Sequence, residues 1–350
     1  MHKFDYSFLR NISVPVSFLE LTNNLYKLRE VEKNKEQAVK SVFKKLQQIA
    51  IIESVKSSNA IEGIITTDER IKAIINNNSK PLNHNEQEIA GYRDTLNLIH
   101  TNYQNIDFSE RTIKTLHSLL LQYTTLDFRG EYKRRENIIS ERFPDGTINV
   151  RFKPVSVEDT PKAMEQLVLA YIQASNDTDI NQLLLIPCII LDFLCIHPFQ
   201  DGNGRISRLL SILLLYKNNF DISKYISFEE QINKNKNDYY EKLKFSSNGW
   251  NENQNTYIPF IENFIITLNN CYNQLNDRYL KIKDIKNKNK QIEEIIYNSL
   301  VPISKKEIAD ILIDVSVTTI ELTLSKLLKN GKIIKIGTTN SAKYIKNNIL

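Results

Sequence analysis

The stretch His197-Pro198-Phe199-Gln200-Asp201-Gly202-Asn203-Gly204-Arg205-Ile206-Ser207-Arg208 decides how this chain is read. An apolar run, Leu183 to Ile196, leads into it, and a second, Leu209 to Tyr216, leads out. Each run is long enough for a buried helix. A loop carrying a base, a carboxylate, two glycines and two arginines therefore sits between two core elements.

Gly202-Asn203-Gly204 can turn tightly, since Gly accepts positive φ freely and Asn more readily than most residues. The N–H groups of such a turn can converge on an anion at the start of the next helix. Arg205 and Arg208 are three apart and so share a helix face, where planar guanidinium forks suit phosphate oxygens. Asp201, at the lip, offers a hard oxygen for Mg²⁺ bridging phosphates. His197 precedes a proline, which disfavours helix there. With an ordinary pKa of about 6.5 it is suited to accept a proton from an attacking hydroxyl. Other readings fit less well. An EF-hand would need a bidentate Glu where Ile212 stands. No G-x-x-x-x-G-K-[ST] occurs anywhere. A plain connecting loop with a surface arginine pair would require six polar or glycine positions to coincide.

At His197 to Arg208 the chain resembles the Fic family, matching H-P-F-x-[DE]-G-N-G-R-x-x-R at every defined position. The resemblance implies an enzyme that moves AMP from ATP to a Tyr, Ser or Thr hydroxyl of a protein and releases pyrophosphate. It implies that His197 deprotonates the hydroxyl and that Asp201 binds Mg²⁺. Gly202, Asn203 and Gly204 would form the α-phosphate anion hole. Arg205 and Arg208 would hold the outer phosphates, with Ser207 among the nucleotide-binding residues. Phe199 would pack beneath the loop.

The chain's 350 residues and 40.7 kDa allow one large domain with one or two small ones. Its 41% hydrophobic and 25% charged content is ordinary for a globular protein, and a net charge of +5 does not argue for nucleic acid. Cys188, Cys195 and Cys271 have no metal spacing; an odd count without a framework fits a reducing cytosol. No apolar h-region opens the chain and no charge-free apolar stretch reaches spanning length, so a cytoplasmic protein without a membrane partner is expected.

Residues 1–35 read as an irregular arm, broken by Pro15, with a helix from about Ser17 to Glu32. Val39, Val42, Phe43, Leu46, Ile49, Ala50 and Ile52 then recur at helical spacing, and the helix is expected to stop at Gly63. Glu62 lies at its C-terminal end, where a cation is preferred. Taken alone it reads as an exposed acid at a fraying end. Ser58 to Gly63 also resembles the family's inhibitory motif [ST]-x-x-x-E-[GN]. That resemblance implies that Ser58 and Glu62 are inhibitory and that Glu62 pairs with Arg208, denying the γ-phosphate its partner.

Helices are expected over Thr67–Asn76, Asn85–Tyr103, Glu110–Tyr123 (with Ser109 as N-cap) and Thr160–Ile172. His117, among leucines, reads as a structural histidine. Asn137 to Pro154 reads as a β-hairpin turning at Pro144-Asp145-Gly146. The resemblance makes it a flap that aligns the target main chain to main chain. Residues 224–245 carry Tyr239 and Tyr240, and the family places a similar Tyr-Tyr pair near the adenine pocket, which implicates Tyr240. The reading of two core aromatics stays open. Trp250 to Leu268 is expected to continue the helical core.

Lys281 to Lys290 is charged and reads as a helix tail or linker. Ser304-Lys305-Lys306-Glu307 is a capping box, Ser316 caps a second helix ending before Gly331, and Ile333–Ile336 with Lys343–Ile345 make a two-stranded wing. The pattern is that of a winged helix. Its second helix opens with Val317, Thr318, Thr319, Ile320 and Glu321 and offers no arginine for guanine, so packing, dimerisation or partner binding is favoured over DNA.

The expected fold is mainly α: a Fic-type helical core with a small β-hairpin flap, plus a C-terminal winged-helix domain. The boundaries are 1–35 arm, 36–275 core with the inhibitory helix near 40–62, 276–295 tail or linker, and 296–350 winged helix. The expected function is Mg²⁺- and ATP-dependent protein adenylylation, restrained by Glu62. Its partner is a protein hydroxyl, the chain's own included, with a homodimer left open. Removal of AMP, phosphoryl transfer, or a DNA-binding regulator with a nucleotide-sensing core are the alternatives.

Overall fold

The computed structural model describes residues 2–38, 40–77, 79–142, 146–283, 288–297, 299, 302–312, 315–338 and 342–347. Among them are fourteen α-helices and five short strands. The centre is α7 (Gln182–Ile196), buried at every position from Leu183 onward. A helix apolar all round must be enclosed on every side. Around it lie α6 (Thr160–Ser175), α8 (Asn203–Lys217), α10 (Lys236–Ser247) and α11 (Ile258–Lys283). Outside α8 come α4 (His84–Asn102) and α5 (Glu110–Leu120). α2 (Lys40–Ile61) packs on α4 and on α9 (Phe228–Lys234), and α3 (Asp68–Asn77) follows it.

Helix starts follow local chemistry. Asn83, Ser109, Asn181 and Ser227 each cap a helix by accepting a backbone N–H two or three residues on. α2 ends before Gly63, whose φ of 78° is the left-handed conformation of a helix C′ residue.

The N-terminal segment carries the helix expected after Pro15, and its arm is packed onto the core. His2, Tyr6, Leu9, Phe18 and Leu25 are buried, and α1 (Val16–Ala38) lies along α11. The cause lies on α7. Asp192 is fully buried and accepts from the Tyr6 hydroxyl (2.7 Å), Trp250 Nε1 (2.8 Å) and the Tyr257 hydroxyl (2.9 Å). A buried carboxylate needs such partners, and the first residues supply one.

Asn235 separates α9 from α10 within the 224–245 region. Trp250 lies in a short 3₁₀ turn between Gly249 and Asn253, both at positive φ, rather than in a continuing helix. α11 runs on to Lys283, beyond the expected Leu268.

The expected tail or linker is helical at both ends, with residues 284–287 outside the described ones. α12 (Lys288–Tyr297) buries Ile292, Ile295 and Ile296, an apolar stripe set among charged residues. It packs on α14 (Val317–Lys329), next to α13 (Lys305–Ile311). Ser304 and Glu307 form the capping box. The sheet here has three strands where a two-stranded wing was expected. β3 (Ile303–Ser304) and β4 (Ile333–Ile336) both pair with the central β5 (Lys343–Lys346).

The hairpin of β1 (Ile139–Arg142) and β2 (Ile148–Phe152) is antiparallel, with a register shift between Ile139 and Ser140. Pro144 and Asp145 of the expected turn lie outside the described residues, while Gly146 is at φ 86°. No helix among the described residues is long and apolar enough to cross a membrane.

Candidate active site

α7 delivers His197. That residue caps the helix in the left-handed region (φ 51°), its N–H still bonded to the Phe193 carbonyl (3.0 Å). A non-glycine residue there costs on the order of 1–3 kcal/mol and persists only where its surroundings hold it. They do so at several points. Lys133 N–H donates to the Pro198 carbonyl (2.8 Å), its ammonium donates to the Ile196 carbonyl (3.2 Å), and Asn137 donates to the Phe199 carbonyl (3.1 Å). Burial pulls Lys133 down to about 8.

The imidazole has a defined tautomer. Nδ1 faces the Leu194 carbonyl at 3.2 Å, an acceptor, so the proton sits on Nδ1 and Nε2 keeps its lone pair. Burial lowers the pKa of His197 to about 4; the Leu194 bond and the charges of Glu62 and Asp201 oppose this only in part. His197 is therefore a neutral base at pH 7.

The turn that follows is knotted by its own side chains. Asn203 Oδ1 accepts from Phe199 N–H (2.9 Å) and its Nδ2 donates to the Phe199 carbonyl (2.7 Å). Gly202 takes φ 80° and caps α8. Phe199 is fully buried beneath the turn, and its ring stacks on His117 at 3.8 Å and 5°.

Arg208 points from α8 to the end of α2. It donates to Ser58 Oγ (2.8 Å), the Ser58 carbonyl (2.9 Å) and Glu62 Oε1 (2.8 Å), and is 2% exposed. The same Glu62 oxygen lies over the first turn of α8, so a Cβ on residue 204 would collide with it. A carboxylate thus sits where the N-terminus of α8 attracts anions.

Arg205, expected beside Arg208 on outer phosphates, turns elsewhere. It is buried, paired with Glu88 on α4, and reaches Asp201 Oδ2 at 3.4 Å. Neighbours three apart on a helix meet different elements when the helix is enclosed. Ser207 is also buried and donates to the Gly204 carbonyl (2.7 Å). The Asp201 side chain is 56% exposed and accepts from Gly202 N–H (2.6 Å). Among the described residues no cluster of three His, Cys, Asp or Glu could hold a metal by itself.

A cavity of about 250 Å³ brings His197, Gly204, Arg208, Glu62 and Tyr240 together. The hairpin adds Ile139, Arg151 and Phe152 to its wall. Arg151 lies 5.8 Å from the Tyr240 ring centroid, and Tyr239 meets Tyr240 edge-on. Arg151, Lys133 and Asn137 carried no signal in the sequence, being polar residues of irregular segments or a short strand. Their roles exist only once the chain has folded.

The Fic/DOC family model matches residues 107–215. A Fido domain-containing protein of Dictyostelium discoideum is 27% identical over 101 residues, covering 28% of this chain and 66% of the relative, just under two thirds of its length. Among solved structures, a Fic family protein from Desulfovibrio desulfuricans G20 superposes with a TM-score of 0.62 at 19% identity, covering 96% of this chain and 98% of its own. A Fic domain containing signaling protein from Bacteroides thetaiotaomicron gives 0.58 at 23% identity, covering 71% and 94%. Fic-1 from C. elegans gives 0.58 at 17% identity, covering 75% and 72%. These structures are alike in fold.

Proposed function

We propose, from the match of the Fic/DOC family model to residues 107–215, that the chain is a protein adenylyltransferase held in check by Glu62. The observation that carries this reading is the placing of His197 in one cavity with the first turn of α8 and Arg208. A base with its lone pair free, an anion-attracting helix start and a guanidinium are the parts that transfer of a nucleotide phosphate requires.

In this reading His197 Nε2 takes the proton of a Tyr, Ser or Thr hydroxyl. The freed oxygen attacks the α-phosphorus of ATP, the bond to the β-phosphate bridging oxygen breaks, and pyrophosphate leaves. The N–H groups of Asn203 and Gly204 in the first turn of α8 hold the charge that develops on the α-phosphate, while that of Gly202, expected to join them, is given to Asp201 Oδ1. Arg208 holds an outer phosphate once freed, while Arg205 braces the turn through Glu88 and Asp201. Asp201 suits Mg²⁺ brought by the nucleotide, because its exposed carboxylate supplies one ligand and phosphates and water the others. Bound there, Mg²⁺ would neutralise phosphate charge. Tyr240, in the cavity wall, provides a face for the adenine, and the hairpin is the element to align the target.

Glu62 opposes all this in two ways. It neutralises Arg208 through a 2.8 Å contact, and it places a negative charge over the first turn of α8. Both effects act on the nucleotide phosphates rather than on the base. The C-terminal helices and sheet read as a partner-binding or dimerisation module of winged-helix type. The three buried, free cysteines accord with a reducing cytoplasm.

The test is intact-mass analysis of Glu62→Gly incubated with Mg²⁺ and ATP. Addition of one or more AMP masses, absent from Glu62→Gly/His197→Ala, is the expected result. Addition of phosphate masses instead would overturn the proposed orientation of the nucleotide.

A further inference from the structure

We infer that His117, on α5, is a positioning residue that aims the Asp201–Gly202 peptide, and with it the Asp201 carboxylate and the first turn of α8. The inference rests on the proposed nucleotide-binding role of that turn. His117 is fully buried, and both ring nitrogens are engaged. Nδ1 accepts from Gly130 N–H at 3.0 Å, so it carries no proton. Nε2 therefore bears the hydrogen and donates to the Asp201 carbonyl at 3.0 Å.

That bond sets a direction. In a trans peptide the carbonyl and the next N–H point to opposite sides. With the Asp201 carbonyl turned down to His117, the Gly202 N–H turns up, where it holds Asp201 Oδ1 at 2.6 Å. The ring also lies flat on Phe199, and a Cβ on Gly202 would come within 3.5 Å of its Cδ2 and Nε2. Its other anchor is equally close-fitted. Gly130 has φ 76°, and a Cβ there would sit 3.1 Å from the Lys114 carbonyl and Ser118 Cβ of α5. The ring is a strut between a fixed glycine and the peptide it aims. An apolar side chain of similar size would fill the space, but it would leave the Gly130 N–H and the Asp201 carbonyl without their buried partner.

The experiment compares Glu62→Gly with the same protein carrying His117→Phe or His117→Gln. Amide exchange at Gly202, and ATP affinity with and without Mg²⁺ by calorimetry, are both read. His117→Phe is expected to speed Gly202 exchange about tenfold and to cost about tenfold in the Mg²⁺-dependent part of ATP affinity. Exchange in α11 should stay unchanged. His117→Gln, whose amide can still donate to the Asp201 carbonyl, is expected to recover most of both. A His117→Phe protein matching its parent in both readouts would overturn the inference. Should His117→Phe not fold, His117→Asn, too short to reach that carbonyl, makes the same comparison. A parent that binds no ATP would overturn the proposed function, while the Gly202 exchange rates would still decide on His117.

Discussion

Glu62 stands at two helix ends. At the C-terminus of α2 its charge is disfavoured, and this much shows in the sequence. Its compensation does not show, because the first turn of α8 and Arg208 lie some 146 residues further along the chain. Only the motif resemblance paired the two residues in advance. The case of Arg205 is the converse: its spacing from Arg208 suggested shared work, but enclosure by α4 sent it to Glu88. His197 carries a prediction of its own. Burial holds it near about 4, and a histidine so shifted is a competent base above that value and loses competence below it. In Glu62→Gly the value should fall slightly further, since the Glu62 charge raises it. The acid limb of kcat/KM is therefore expected below about pH 5. A pH-rate profile whose acid limb lies at about 6.5, the ordinary histidine value, would contradict the assigned environment.

Elements were legible where their signals are local. The capped starts of α5, α13 and α14 and the stop at Gly63 all follow from residues within a turn of each other. Trp250 was not legible in this way. It leaves the helix because Asp192 takes its indole N–H, a contact across 58 positions. The end of α2 has a similar long-range support. Lys236, at the start of α10, donates to the Ile61 carbonyl at 2.7 Å and so joins Arg208, bonded to the Ser58 carbonyl, in supplying the cations that this helix end lacks in its own sequence. Lys236→Met keeps the stem and removes the charge. It should loosen the last turn of α2 and raise labelling severalfold above wild type, though less than Glu62→Gly does. Unchanged labelling would show that α2 is held in place without it.

At the scale of the molecule, an apolar helix with one buried acid, Asp192, is enclosed by its neighbours, and residues 2–11 join the enclosure through Tyr6 and Leu9. Tyr6→Phe leaves Asp192 one donor short in a buried site. It should cost about 1–3 kcal/mol in urea unfolding at pH 7, and a loss below about 0.5 kcal/mol would show that the other donors suffice. Three histidines, His100, His117 and His197, are each lowered to about 4, chiefly by burial. Below about pH 6.5 the unfolded chain takes up protons that the folded one refuses. Their contribution is therefore complete above about 6.5 and is lost toward 4, at up to about 1.4 kcal/mol per pH unit for each. Urea midpoints should fall between pH 7 and 5; a flat profile would mean that these rings are charged or open in the folded state. The central claim is that this fold moves AMP and that Glu62 restrains it. The direct measurement is label transfer to protein from α- or γ-labelled ATP, by wild type, Glu62→Gly and Glu62→Gly/His197→Ala. Label from α-ATP only, at least about tenfold stronger in Glu62→Gly than in wild type and lost without His197, is the predicted result. Label from γ-ATP only, or equal labelling with and without Glu62, would contradict it.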